Sequence, residues 1–297
     1  MRHIHPPRSL ALLVPVALAM TLAACGDDSE PAADEPVDTV ADAVPPTTVP
    51  PTTVPPTTAA PAGYEHPTGA DEVVVSITHE GGFVPVETIF SQLPSLLVTG
   101  DARQFTLGPQ IAIYPGPLLP NVQVAAIGED GVQDLLALAD EYGLLEDREY
   151  EVPTNIADAS DTVVTITADG ATYVHRAYAL GLGAGPGVTD ESGDRADLQA
   201  FVEAATMMDE TSTDSFAPDA YLVRSFPTDD LSGYDIEPTI VAWPLADVDL
   251  AAASDCVEIA AADIGDVFAT ANQLTFFEQD GVVYRLAVKP QLPGDAC

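Results

Sequence analysis

Basic side chains are nearly missing from this sequence. Nine Lys and Arg stand against 47 Asp and Glu, the formal net charge is −38, and the single lysine is Lys289. A chain with no basic stripe has nothing to neutralise a phosphate backbone, which argues against nucleic acid as a partner. It also argues against adhesion to an anionic membrane surface. An acidic exterior keeps a protein soluble in salt and attracts cations only loosely. No G-x-x-x-x-G-K-[ST] loop occurs, and one lysine near the C-terminal end could not serve one. The glycine-rich stretch Gly181–Gly187 (GLGAGPG) fails the dinucleotide spacing, because Pro186 stands where the third glycine is needed. We therefore expect no nucleotide and no other cofactor.

Catalytic signatures are missing too. The HEGGF stretch from His79 lacks the second histidine at i+4 that a zinc site needs, and reads as a turn in which Gly81 and Gly82 supply unusual backbone angles. There is no G-x-S-x-G and no S-x-x-K. Beyond residue 24 the only histidines are His66, His79 and His175. His175 reads as a paired or half-exposed strand histidine. The one tryptophan, Trp243, reads as a core residue in preference to a stacking platform. The metal candidate is Asp190–Asp197 (DESGDRAD), where Asp190, Glu191, Asp194 and Asp197 could offer oxygens to calcium. Its glycine sits at the wrong offset for an EF-hand. The preferred reading is a solvated loop ending in Asp194 as a helix N-cap, with negative charge where the helix dipole favours it. No metal is assigned.

Long apolar runs are scarce, and the N-terminal one, Ser9–Thr21, is short. A stable span needs about 20 apolar residues. Arg2 and Arg8 precede it, and Leu22-Ala23-Ala24-Cys25-Gly26 follows. A charged start, a short apolar core and small residues before a cut are the marks of an export signal. The cysteine directly after the small residues resembles the bacterial lipobox, in which the thiol takes a diacylglycerol and becomes the new N-terminus. The expectation is a signal at 1–24, lipidation at Cys25, and a membrane anchor on the outer face of the cell membrane. Each buried CH₂ of an acyl chain contributes about 0.8 kcal/mol, so two chains hold where one is marginal. The removed segment carries Arg2 and Arg8 and no acid, so the net charge of −38 would become −40.

Cysteine is also scarce: Cys25, Cys256 and Cys297 make an odd count. If Cys25 carries lipid, an exported chain can pair the other two. That bond would close a loop of about 42 residues, for which loop entropy gives roughly 4 kcal/mol. A metal site would want histidines nearby; a free thiol is the remaining alternative.

Gly26 to Ala62 holds seven acids and neither basic nor aromatic residues. Such a segment buries too little apolar surface to offset its ordering entropy and is expected to be disordered. Its second part repeats VPPTT three times, Val44–Thr58. Polyproline geometry would extend these residues to roughly 45 Å as a semi-rigid spacer. We expect a linker over 25–68 and one domain over 69–297, or two sub-domains near 69–182 and 183–297.

Within the domain, β-branched runs predict strands at 71–78, 94–101, 220–226 and 239–243. Asp169-Gly170 and Asp280-Gly281 each sit between two such runs and predict hairpins. Apolar residues at 132, 135, 136 and 139 predict a helix over 131–142 with Gly143 ending it. Further helices are predicted over 194–208 and 261–273. Antiparallel hairpins alternating with about three helices make the class α+β.

Gly81–Pro85, Pro115-Gly116-Pro117, Tyr178–Gly181, Trp243-Pro244, and Lys289–Pro293 with Cys297 behind it together resemble uncharacterised lipoproteins of high-GC Gram-positive bacteria. The turn that usually reads G-D-G there is Gly100-Asp101-Ala102 here. The resemblance implies an envelope location and carries no activity or catalytic residues. Two functions remain open: a non-enzymatic module binding an envelope partner, wall polymer or solute, and an exported hydrolase that uses a carboxylate pair on a glycan or similar polymer.

Overall fold

The computed structural model describes residues 63–182, 192–208 and 213–297. In chain order the elements are β1 (Val73–Gly81), α1 (Val86–Ser91), β2 (Leu96–Thr99), β3 (Arg103–Leu107), β4 (Val122–Ala126), α2 (Gly128–Glu141), β5 (Ser160–Ala168), β6 (Ala171–Tyr178) and α3 (Asp194–Thr206). Then follow β7 (Asp214–Ser215), β8 (Ala220–Pro227), β9 (Thr239–Ala242), a 3₁₀ turn at Leu250–Ala252, β10 (Val257–Ala260), α4 (Ala261–Ile264), α5 (Val267–Thr270), β11 (Thr275–Gln279) and β12 (Val282–Pro290). The class is α+β, as the hairpin pattern predicts.

Two sheets form. The first has seven strands in the order β6-β5-β1-β2-β3-β4-β7, all antiparallel. The second has five, β10-β8-β12-β11-β9. Its single parallel pair, β9 with β11, departs from the all-hairpin expectation. A chain that leaves β9, builds β10 and two short helices, and returns beside β9 arrives in the same direction.

Both D-G turns form as predicted. Asp169 and Gly170 have φ of 50° and 76°, and Asp280 and Gly281 have 54° and 79°. Two successive left-handed residues make the turn whose twist matches the strands it joins.

One face of the first sheet is covered by α2 and α3. Val132, Leu135, Leu136 and Ala139 of α2, and Leu198, Phe201 and Ala205 of α3, pack on Val75, Ile77, Val98, Val164 and Ile166. The helical spacing read from the sequence is thus the buried stripe of α2. The helix ends where Gly143 turns left-handed, and the amide of Leu144 donates back to the Ala139 carbonyl at 2.8 Å. α3 follows residue 182 in the chain yet fills the core of the first sheet.

The opposite face carries a smaller cluster, Leu97, Phe105 and Val122 with Leu292. Leu292 lies in the tail beyond β12, so the second sheet's last strand runs directly into the first sheet's outer core. A separate core in the second sheet gathers Val223, Ile259, Phe277, Leu286 and Val288 around Phe268.

Three local expectations are corrected. The helix predicted over 261–273 is two single-turn helices, because Gly265 adopts φ 55° and ψ −135°, a conformation that cannot continue a helix. Asp194 is not the N-cap of α3; Gly193 holds that position, and Asp194 is the first helical residue. His79 and Glu80 lie in β1 and not in a turn, although Gly81 and Gly82 beyond them do take positive φ of 74° and 84°. In addition, residues 63–68 are docked on the domain. The Gln133 side chain accepts from the Tyr64 amide at 2.8 Å and donates to the Tyr64 carbonyl at 2.9 Å. The Glu65 amide donates to the Asp169 side chain at 2.9 Å, and the Asp169 amide returns a bond to the Glu65 carbonyl at 2.7 Å.

Candidate functional site

Cys25, the predicted lipidation site, lies outside the described residues, as do Asp190, Glu191 and Gly183–Gly187. Cys256 and Cys297 are brought together, with Cα atoms 5.3 Å apart and sulfurs at bonding distance. Of the metal candidates, Asp194 and Asp197 are taken by Arg148, whose guanidinium donates to them at 3.0 and 3.2 Å. Among the described residues no group of three or more His, Cys, Asp or Glu is arranged to hold a metal ion. Nor is any helix among them long and apolar enough to cross a membrane.

Trp243 packs edge-on against Phe277 with ring centres 5.5 Å apart and donates to the Val248 carbonyl at 3.0 Å. It is part of the second core, as its sequence context predicts. His175 is fully buried, so the half-exposed option is removed. Its Nε2 donates to the Leu144 carbonyl at 2.8 Å, and since a carbonyl only accepts, Nδ1 is the acceptor for the Tyr150 hydroxyl at 2.8 Å. Burial pushes the ring's pKa below its ordinary value, while the Leu144 bond pulls the other way. Burial also pushes the Tyr150 phenol up to about 12. Both groups are therefore neutral and serve as a structural pair under the helices.

The site not legible in the sequence is a cleft where the two sheets meet. Its volume is about 380 Å³, at the small end of the roughly 300–1,000 Å³ typical of ligand sites. Five separate segments build it. α1 contributes Glu87 and Thr88, the β3–β4 connection contributes Tyr114, the β8–β9 connection contributes Tyr234, the turn before β11 contributes Gln273, and β12 contributes Arg285. The β3–β4 connection is tied to the second sheet by reciprocal bonds: the Leu118 amide to the Ala271 carbonyl at 3.1 Å and the Gln273 amide to the Gly116 carbonyl at 2.9 Å. Tyr234 is braced edge-on against Phe276, with ring centres 5.6 Å apart. Tyr114 is 61% exposed, and no ring contact to it is found among the described residues.

Known proteins offer no guide to this cleft. No family model, no curated protein and no solved structure matches the chain.

The cleft's charges oppose each other. Arg285 lies 3.6 Å from Glu87, a looser approach than the other ion pairs among the described residues. Arg103 meets Asp101 at 2.6 Å, Arg176 meets Glu80 and Asp161 at 2.5 and 3.0 Å, and Lys289 meets Asp295 at 3.1 Å. Burial works against the Asp101 carboxylate, but bonds from Thr99 and Arg103 outweigh it and hold the group below its usual range. Arg195 donates to the Glu151 and Tyr178 carbonyls, and Arg224 to the Ser254 carbonyl.

A second cavity of about 510 Å³ lies beside the C-terminal tail and includes Asp71, Asp219, Asp295 and Arg103. Its cation Arg103 is held by Asp101, and its Asp295 by Lys289.

Proposed function

We propose that this chain is a membrane-anchored extracytoplasmic lipoprotein whose domain binds an envelope ligand or partner without turning it over. The observation that carries the binding reading is the make-up of the inter-sheet cleft. Two tyrosine rings, the Thr88 and Ser91 hydroxyls, the Gln273 amide and apolar side chains such as Leu118 and Leu286 line it, while the one carboxylate among its described lining residues, Glu87, faces a guanidinium. A glycosidase needs two carboxyl groups roughly 5–9.5 Å apart across the reacting bond. Most other hydrolase and transferase mechanisms need a histidine, cysteine, lysine or metal at the site. None of those side chains is among the cleft's described lining residues. The anchor rests on the run from Arg2 to Cys25 and on the resemblance to envelope lipoproteins. A spacer that extends reach while a lipid keeps the domain local raises the effective concentration of a weak binder at the surface.

The test is an activity screen of the purified full-length chain on wall glycans, glycosides, esters and peptides, in which no turnover is expected. Turnover that is lost when one Asp or Glu is changed to its amide, with the fold intact, would replace this reading with the exported hydrolase.

A further inference from the structure

We propose that the inter-sheet cleft is a site for an uncharged sugar of one or two rings, a proposal that rests on the binding reading above and names its ligand class. The first argument is charge. Every Lys and Arg among the described residues is engaged within the protein, and all but Arg285 hold their partners at hydrogen-bonding distance or bond backbone carbonyls. Arg285 is matched by Glu87 at 3.6 Å. The cleft itself is neutral, and the chain around it carries −38. An anionic ligand would meet a repulsive field, and a cationic one would have to displace Arg285 from Glu87, the one carboxylate among the cleft's described lining residues.

The second argument is the kind of polar group on offer. The gap between Glu87 and Arg285 leaves a carboxylate that accepts and a planar guanidinium fork that donates, side by side. The Gln273 side-chain oxygen is occupied by the Gly116 amide at 3.2 Å, which leaves its NH₂ as a donor at the rim. The exposed Thr88 hydroxyl both donates and accepts. Sugar hydroxyls also donate and accept at one atom, so mixed donors and acceptors on side chains suit them. An extended peptide draws its affinity chiefly from main-chain pairing, whereas the groups described here are side chains.

The third argument is the exposed ring. Tyr114 stands 61% exposed at the rim, held in place by the bonds that tie its loop to the second sheet. A sugar ring has a flat C–H face and a hydroxyl edge. A tyrosine ring covers the first and the polar groups lining the same cleft satisfy the second.

Titration calorimetry of the full-length chain in detergent, with maltohexaose, laminarihexaose and chitohexaose as neutral probes, tests this. An oligogalacturonate serves as the anionic comparison and a proline-rich peptide as the peptide comparison. Saturable heat with a neutral oligosaccharide is expected, weakened about tenfold or more in Tyr114→Ala and Arg285→Gln, since a central aromatic anchor is worth more than about 1 kcal/mol. Phe83→Ala, an exposed apolar residue that does not line the cleft, should leave it unchanged. Binding to none of the three sugars, or binding unaffected by Tyr114→Ala in a folded variant, overturns the proposal. Binding of only the peptide or the galacturonate through Tyr114 also overturns it, and leaves the binding reading standing. Cleavage of a bound sugar keeps the ligand class and removes the claim of binding without turnover.

Discussion

The Tyr150 hydroxyl donates to His175 Nδ1 at 2.8 Å, and the far nitrogen of the same ring donates to the Leu144 carbonyl. This pair joins the loop after α2 to the middle of β6 and fixes the ring as the neutral Nε2–H tautomer. Because burial lowers the pKa of His175 in the fold, the unfolded chain binds the proton more tightly. The ring's contribution to stability is full above about pH 6.5 and is lost as the pH falls from there through the folded-state pKa. Relief of repulsion among the acids acts in the opposite sense, so the ring itself is the decisive probe. Its NMR nitrogen shifts should report the Nε2–H form at pH 7 and a midpoint below that of a free histidine. A midpoint at or above the free value would contradict the burial argument. Tyr150→Phe should cost about 1–3 kcal/mol in denaturant unfolding, because it leaves a buried acceptor without a donor.

The Cys256–Cys297 pair spans the second sheet from the start of β10 to the tail beyond β12. The bond constrains the unfolded chain, and for this loop length its removal should cost about 4 kcal/mol. Cys256→Ser with Cys297→Ser should melt lower by roughly 10 °C, as read by calorimetry. Unreduced protein should be two hydrogens light by mass. Two alkylatable thiols in protein isolated from the envelope would show that the pair is not oxidised there.

Gln133 clasps the Tyr64 backbone through two hydrogen bonds. Gln133→Ala should release residues 63–68 while the cores remain intact. Hydrogen exchange should rise in that peptide alone, with a global loss of only about 1–2 kcal/mol. Unchanged protection at Glu65 would mean that the Asp169 contacts hold the segment by themselves.

The proposed anchor depends on one sulfur. Cys25→Ser should send the chain to the medium or leave it unprocessed, as read by fractionation and mass. A variant that stays in the membrane fraction at the processed size would remove the lipid anchor from this account.

What the sequence determined by itself was what local physics decides. Asp-Gly between β-branched runs specified two hairpins, because few residue pairs take two left-handed conformations in succession. Four apolar residues at helical spacing specified the buried stripe of α2, and Gly143 its end. The pairing of Cys256 with Cys297 was an expectation conditional on export and on Cys25 being set aside for lipid, and the fold brings the two cysteines together. Tertiary structure decided the remainder. Arg103–Leu107, Val122–Ala126 and Val257–Ala260 become strands because neighbours pair with them, since each is too short to declare a period. Ala261–Ile264 and Val267–Thr270 are separate because Gly265 takes a backbone shape that a helical pattern does not reveal. Glu87, Tyr114, Tyr234 and Arg285 carry no motif, since their spacing along the chain has no chemical meaning. They become a cleft only when two sheets meet, and that meeting is set by long-range contacts: the Gly116–Gln273 bonds and Leu292 on the first sheet.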